Sequence, residues 1–240
     1  MMHHSNWLNH IRDRQMDHLQ ELLEPDNKGE IIYARLANDL MNGLLLPNER
    51  LKIRDLAEKM GTSVTPVRDA VLRLVQDGAL IMPSPRDIRV RSLTLTEYLE
   101  IRSIRMELEG MVAAKAALLA TPADIEKLEQ MLVFNESALS ASDSQKGLEL
   151  NQSFHFELCR IAQMPILTSI LHQLWIKIGP LIAQSYTKGG RHMIDYHYLV
   201  VRSIREKDPQ AAKIASQTDL LSGGNVMLQL KINETNTDWL

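Results

Sequence analysis

Four polar side chains in the second half of the chain have the types and the spacing of a metal-binding set. Asn151 and His155 are four residues apart, so they share one face of a helix. His197 and Asp219 come from two later segments of the chain. Two imidazoles and a carboxylate that project from different helices into a bundle can hold a divalent cation. Histidines that bind nothing are the alternative, because the chain contains eight of them.

These four side chains are compatible with two classes of protein, a metal-binding protein without catalysis and a metalloenzyme. Imidazole nitrogens favour zinc, nickel, manganese or iron over magnesium, so we expect one of these four ions as a cofactor. Two histidines and one carboxylate are also the ligands of non-haem iron oxygenases, which makes a metalloenzyme an alternative. The second half shows no glycine-rich phosphate loop, no nucleophile elbow and no Cys–His zinc pattern, and no catalytic base stands out. If the set does bind a metal, a binding site that performs no reaction is therefore favoured over an enzyme, and histidines that bind nothing remain the alternative.

Helical periodicity predicts the elements that must position these side chains. From Thr94 onward the pattern predicts six helices with joints at proline or glycine. Their predicted ranges are about 96–119, 122–139, 144–162, 166–185, 191–206 and 209–232. Asn151 and His155 then lie on the third helix, His197 on the fifth and Asp219 on the sixth. The sequence therefore predicts an all-α antiparallel six-helix bundle with the polar set inside it.

Two arginines of the first bundle helix are candidates for binding an acidic effector. Arg102, Arg105 and Glu109 follow one another at helical spacing and share a face. One arginine facing the cavity would pair with a carboxylate that the metal also binds. Periodicity does not separate Arg102 from Arg105, and a solvated charged stripe is the alternative. Trp175, Gln184 and Tyr186 can line the same pocket, but packing in the core is the main expectation for each.

The first half of the chain predicts a winged helix-turn-helix. A helix over 30–42 is followed by a short helix over Ile53–Met60, a glycine break and a second short helix over Pro66–Gln76. Residues 79–91 then read as two short strands around a Pro-Ser-Pro-Arg-Asp turn. This order of elements presents the second helix of the motif to the major groove of DNA. Residues 7–23 predict a short lead-in helix.

Polar residues lie where such a module would meet DNA. The N-terminal end of the second helix carries small hydroxyl side chains and an arginine, and helix amides there also favour phosphate. An arginine can bind a guanine edge or a phosphate, and arginines of a wing can reach the minor groove. The residues expected to contact DNA are Arg54, Ser63, Thr65, Arg68 and Arg86. Taken singly, each arginine also fits an ordinary solvated surface, but their common placement on this order of elements favours DNA binding.

Charge and composition agree with a basic module on an acidic body. The 240 residues carry a net charge of −3 and are 45% hydrophobic, which is ordinary for a globular protein. Residues 28–92 hold eleven Lys and Arg against eight Asp and Glu, a net charge of +3 that leaves −6 on the rest. The single cysteine excludes a disulfide within the chain. With no apolar run near the ~20 residues that span a bilayer, we expect a cytoplasmic protein without membrane contact.

Residues 31–91 resemble the DNA-binding domain of the GntR family of bacterial regulators. The matching stretches are GLLLPNERL at 43–51, LAEKMG at 56–61, TPVRDAVLRL at 65–74 and DG at 77–78. The resemblance implies that Arg54, Ser63, Thr65 and Arg68 contact DNA. It also implies a transcription regulator that binds its operator as a homodimer.

Residues 96–232 resemble the FCD domain, the helical sensor of one large GntR branch. The matching stretches are EIRSIR at 100–105, LEG at 108–110 and NQSFH at 151–155, together with His197, Ile204 and Asp208. Six helices resemble the shorter, VanR-like version of this domain. The resemblance implies that Asn151, His155, His197 and Asp219 hold a metal. Asp219 stands where the family has a histidine and Asn151 where it commonly has an aspartate, so the site would be richer in oxygen.

The sequence thus predicts a mainly α-helical regulator with three parts. These are an N-terminal extension over 1–27, a winged helix-turn-helix over 28–92 and an FCD-like effector domain over 93–240. The expected function is that of a repressor, whose binding to double-stranded DNA is controlled by a small organic acid bound in the metal-containing bundle. Two alternatives remain, the non-haem metalloenzyme and a protein-interaction bundle that has lost DNA binding.

Overall fold

The computed structural model describes residues 28–237, so the predicted extension over 1–27 and the helix over 7–23 lie outside the described residues. Short helices and a small sheet make up the first part of this range. Its elements are α1 (Lys28–Met41), β1 (Arg50–Leu51), α2 (Ile53–Lys59), α3 (Val64–Gln76), β2 (Leu80–Ser84) and β3 (Asp87–Val90). The strand β1 was not predicted, because two residues are too short a run to show an alternating pattern.

Six α-helices follow in the described range. They are α4 (Leu95–Leu119), α5 (Pro122–Ser140), α6 (Ser144–Ala162), α7 (Pro165–Gly189), α8 (His197–Arg205) and α9 (Pro209–Thr237). The predicted fold class, a winged helix-turn-helix followed by a helical bundle, is confirmed. The helix predicted over 191–206 is wrong in its first turn. Gly190 has a positive φ of 51°, so the chain leaves the helix there and forms a 3-10 turn over Gly190–Met193 before α8 begins.

The contacts divide the described chain into two units, and residues 28–38 and 50–88 form the first. Within it, α3 buries Val67 and Val71 completely. The Tyr33 hydroxyl of α1 donates a hydrogen bond of 2.7 Å to Asp77 at the end of α3. The Arg73 guanidinium lies over the Tyr33 ring at 4.2 Å. These contacts fix α3 against α1 by its apolar face and leave its other face to solvent.

The sheet has the strand order β1-β3-β2, so the hairpin of β2 and β3 is the wing. Arg50 of β1 holds the tip of this hairpin. Its Nη2 donates to the Arg86 carbonyl at 3.1 Å, and its Nε lies 3.4 Å from Asp87 Oδ1. The arginine therefore fixes the backbone of the wing turn while the Arg86 side chain stays exposed.

Residues 39–49 and 89–237 form the second unit. Capping boxes begin two of its helices, with Thr94 and Glu97 at α4 and Thr121 and Asp124 at α5. The segment 39–49 packs on α7 at Gly179. A Cβ there would lie 2.6 Å from the Leu40 carbonyl oxygen and the Met41 Cα, so only glycine allows this approach. The domain boundary at residue 92 stays a prediction.

The helix α7 is apolar enough over Pro165–Tyr186 to span a membrane by length and composition. The expectation that no such run exists is therefore wrong for this helix. Half of the segment is buried inside the protein, where Trp175 and Ile176 lie in the core. Its apolar character follows from packing against α4, α6 and α9 within the bundle.

Candidate functional site

Three of the predicted ligands meet inside the helical unit. His155 of α6, His197 at the start of α8 and Asp219 of α9 are all buried, and one ligand atom from each lies within 4.8 Å of the others. The Nε2 atoms of both histidines lie 3.6 Å from the same atom, Asp219 Oδ2. We name these three residues the His–His–Asp cluster.

The orientation of His155 is fixed by a residue of α4. Its Nδ1 lies 2.6 Å from Glu109 Oε2. An ionised carboxylate only accepts hydrogen bonds, so Nδ1 carries a proton in this contact, and Nε2 is the nitrogen that faces Asp219. A carboxylate behind a histidine in this way sets the tautomer and raises the basicity of a metal ligand.

Glu109 is itself held in the ionised state. Burial disfavours its charge, but the charges of Arg105 and His155 outweigh burial and hold the pKa of Glu109 well below its usual range. Arg105 Nε donates to Glu109 Oε1 at 2.7 Å, and Trp175 Nε1 donates to the same oxygen at 3.2 Å. The Arg105 guanidinium also lies 4.4 Å from the centre of the Trp175 ring.

The second histidine has no hydrogen-bond partner at either nitrogen in the part of the chain that the structure describes. His197 is 0% exposed, and its ring stacks on Phe154 with centroids 4.0 Å apart. Within residues 28–237, neither its Nδ1 nor its Nε2 has a hydrogen-bond partner, and the same holds for Asp219 Oδ1. Unpaired polar atoms are costly in a protein interior, at about 1–3 kcal/mol each. A cation bound between the two Nε2 atoms and Asp219 would give His197 Nε2 a partner, so the residues present fit a metal ion.

A small cavity adjoins the cluster and brings in the remaining candidates. It has a volume of about 30 Å³, and its polar lining comes from Tyr98, Arg102, Arg105, Asn151, His155 and Asp219. Asn151 is buried one helical turn before His155, so it lies at the same cavity as the cluster. A volume of this size has room for water-sized groups beside an ion.

The two candidate arginines differ in their surroundings. Arg105 contacts Glu109 and Trp175, whereas the Arg102 guanidinium lies over the Tyr98 ring at 5.5 Å. Among the described residues, the buried Nη1 of Arg102 has no hydrogen-bond partner. Gly224 of α9 makes room for Arg102, because a Cβ there would lie 3.1 Å from Arg102 Cδ. The geometry therefore leaves one nitrogen of Arg102 unpaired, while Arg105 holds Glu109.

Sequence analysis did not assign roles to Glu109, Trp175 and Phe154 at this site. Glu109 was noted only as part of a charged stripe with the two arginines, and Trp175 was expected to pack in the core. The spacing of Arg105 and Glu109 predicts an ion pair, and this signal was present in the sequence. The contacts of Glu109 with His155 and of Phe154 with His197 join separate helices and have no signal in the spacing.

The candidate DNA surface lies on the other unit. Ser63, Thr65 and Arg68 are exposed at the N-terminal end of α3, while Arg54 of α2 and Arg86 of the wing are also exposed. Ser63 is the N-cap residue by its backbone, but its side chain accepts no capping hydrogen bond. Its hydroxyl is therefore not used in capping α3 and can bind another partner. Neutral and basic donors at an exposed helix start are suited to phosphate and base edges.

A winged helix-turn-helix followed in one chain by a helical bundle defines the class of helix-turn-helix DNA-binding regulators. Residues 28–90 match the family of bacterial regulatory proteins named gntR, and residues 100–221 match the FCD domain. The chain belongs to the GntR family and carries an FCD domain, which confirms both resemblances.

Relatives with known names or structures agree. The HTH-type transcriptional regulator McbR of Escherichia coli K12 is 30% identical over 83% of this chain and 89% of its own length. The solved structure of E. coli McbR/YncC has a TM-score of 0.79 and covers 85% of this chain and 98% of that one, at 29% identity. A GntR regulator structure from Rhodococcus sp. RHA1 has a TM-score of 0.69 and covers 84% of this chain and 98% of that one. At 15% identity, this match shows a shared fold. The protein is a transcription regulator, and the metalloenzyme alternative is wrong.

Proposed function

We propose that the chain is a repressor that binds its operator as a homodimer through residues 28–92. Residues 93–240 would form the effector domain. One relative, 22% identical over 87% of this chain, is named HTH-type transcriptional repressor RspR. The DNA contacts would come from Arg54, Ser63, Thr65, Arg68 and Arg86. Both the basic charge of this module and the exposed end of α3 support the proposal.

The His–His–Asp cluster would hold zinc, nickel, manganese or iron, with Asn151 as a weaker fourth ligand. The observation that carries this part is the pair of histidine nitrogens that face one aspartate oxygen at 3.6 Å. When bound, the metal would supply a positive charge that attracts a carboxylate. Arg102 would donate its unpaired Nη1 hydrogens to that carboxylate, and Glu109 would keep His155 in the tautomer that binds the metal. The effector is then a small organic acid.

The effector site predicts that Arg102→Gln weakens binding of a small carboxylate by about 10- to 100-fold. This range corresponds to the loss of one charge-assisted hydrogen bond, about 1.5–3 kcal/mol. The probe is trifluoroacetate, and its ¹⁹F line broadening is measured with the zinc-loaded protein. The matched control is Arg202→Gln, which removes the same charge from an exposed position of α8. Equal affinity in the parent and in Arg102→Gln would contradict the assignment of Arg102.

The homodimer has a candidate contact surface on α4. Ile104, Met111 and Leu118 are 40%, 46% and 58% exposed and recur every seven residues, so they form one apolar stripe. Ile214 and Leu221 on α9, which packs on α4, repeat the same spacing and are also exposed. A single helix-turn-helix covers only half of an operator, so a two-fold partner is needed, and an apolar stripe is suited to pairing with its own copy.

We therefore expect Met111→Glu to convert the dimer into a monomer at micromolar concentration in analytical ultracentrifugation. A charge buried at the centre of an apolar interface is not compensated. The control is Val133→Glu, which places the same charge on α5 at a residue 63% exposed and outside the stripe. Footprinting of the parent should show a symmetric protected region. A parent that is monomeric, or a Met111→Glu variant that stays dimeric, would exclude this interface.

A further inference from the structure

A second cavity lies in the helical unit, separate from the His–His–Asp cluster. It has a volume of about 160 Å³ and is lined by the end of α5, the start of α6 and the end of α7. Neither the cluster residues nor Arg102 lines it. An engineered protein cavity of about 150 Å³ can hold a benzene molecule, so a molecule of roughly six non-hydrogen atoms would fit.

Two buried polar side chains line this cavity without hydrogen-bond partners among residues 28–237. Asn135 of α5 is 2% exposed, and within this range both its amide nitrogen and its amide oxygen lack a partner. Tyr186 of α7 is 9% exposed, and its hydroxyl also lacks a partner in the described range. Buried polar groups are almost always paired in folded proteins, because leaving them unpaired is destabilising. Two unpaired groups from different helices at one cavity point to a ligand that pairs with both.

The packing of Gly147 brings the Tyr186 ring to the cavity. A Cβ at Gly147 would lie 2.6 Å from Tyr186 Cε1, so glycine at this position of α6 lets the ring lie against the helix backbone. The apolar part of the wall comes from Ala138, Leu139 and Ile194. The cavity therefore combines a close-packed aromatic ring, an apolar wall and one buried primary amide.

The charges at the cavity select against an anion. Asp143 lines it, and the Asp143 carboxylate caps α6 by accepting from the Lys146 backbone N–H at 2.9 Å. Burial, and then the negative charge of Asp219, raise the pKa of Tyr186, so its hydroxyl remains a neutral donor. The unpaired hydrogen-bonding groups, Asn135 and Tyr186, are thus uncharged, and the charged side chain that lines the cavity with them is the carboxylate of Asp143.

We propose that this cavity, the Asn135 cavity, binds a small uncharged amide. The side chain of Asn135 can donate to the carbonyl of such a ligand and accept from its N–H at the same time. The Tyr186 hydroxyl can donate to the same carbonyl, and the apolar wall covers the rest of the molecule. A carboxylate lacks the donor that the Asn135 oxygen needs, and it would add a second negative charge beside Asp143.

The test compares two molecules of nearly equal shape. Trifluoroacetamide and trifluoroacetate are each added to the zinc-loaded full chain, and ¹⁹F line broadening is measured for each. We expect Asn135→Leu, which keeps the side-chain size, to abolish broadening of the amide and leave that of the carboxylate unchanged. Arg102→Gln should instead weaken the broadening of the carboxylate and leave that of the amide unchanged. The two variants therefore separate failure of this proposal from failure of the proposed effector site.

Two further variants keep the test informative if Asn135→Leu alters the fold. Tyr186→Phe removes only the hydroxyl and should weaken amide binding several-fold with the helical circular dichroism unchanged. Gly147→Ala should displace the Tyr186 ring and should therefore also weaken amide binding. Amide broadening that is absent in the parent, or equal in the parent and in Asn135→Leu and Tyr186→Phe, would overturn the proposal. Displacement of the amide by glycerol at lower concentration would overturn the assignment to an amide.

Discussion

Replacing His155 and His197 together by alanine should abolish metal retention and the metal-dependent rise in melting temperature. An ion that binds only the folded protein at 100 times its Kd adds about 2.7 kcal/mol to the free energy of unfolding. For a unit of this size that corresponds to a rise of about 5–10 °C in Tm. The measurements are zinc, nickel, manganese and iron content by mass spectrometry, and calorimetry with and without added metal.

Two control variants distinguish loss of metal binding from loss of folding. Asp219→Asn keeps the shape of the side chain but removes the charge that faces both Nε2 atoms, so metal binding should weaken while the apo Tm changes little. His192→Ala removes a histidine whose side chain is 73% exposed, outside the cluster, and should change nothing. Metal content and thermal shift equal to those of the parent in the double variant would show that His155 and His197 are not ligands.

Replacing Arg68 by alanine should weaken operator binding by about 2–6 kcal/mol if the protein binds DNA as the proposed homodimer. One base contact by arginine contributes about 1–3 kcal/mol, and a two-fold symmetric operator contains two of them. If Arg68 contacts a base, the loss of affinity is larger for the operator than for unrelated DNA, so sequence specificity decreases. If it contacts phosphate alone, binding weakens for all sequences alike and the slope of log K against log salt falls.

Fluorescence anisotropy with operator and unrelated DNA at several salt concentrations checks this prediction. The control is Arg202→Ala, which removes an equal charge from the exposed surface of α8 and should leave both affinities unchanged. No change in either assay would remove Arg68 from the DNA surface. A parent without any salt-dependent DNA affinity would instead favour the interaction bundle that has lost DNA binding.

The sequence by itself determined the order and the class of the elements. Apolar periodicity, together with proline and glycine at the joints, is local information, and it predicted the six helices and the winged module. It missed β1, whose two residues pair only because β3 lies beside them. It also began the fifth helix at residue 191, whereas Gly190–Met193 form a 3-10 turn and α8 begins only at His197.

The tertiary structure decided which side chains meet. Helical spacing could place Asn151 and His155 on one face, but contact with His197 and Asp219 depends on how α6, α8 and α9 pack. Periodicity also treated Arg102 and Arg105 as equivalent. Their difference comes from Glu109 and Trp175, which occupy Arg105 and leave Arg102 Nη1 unpaired.

The Asn135 cavity shows most clearly that the sequence predicts the helices but not the contacts between them. In the sequence, Asn135 is one polar residue of an amphipathic helix and Tyr186 is a residue expected in the core. Only the packing of α5, α6 and α7 buries both and leaves their hydrogen-bonding groups unpaired. Burial and hydrogen-bond pairing depend on neighbours that are distant in the chain. The sequence pattern therefore predicts the helices, whereas the site is visible only in the three-dimensional structure.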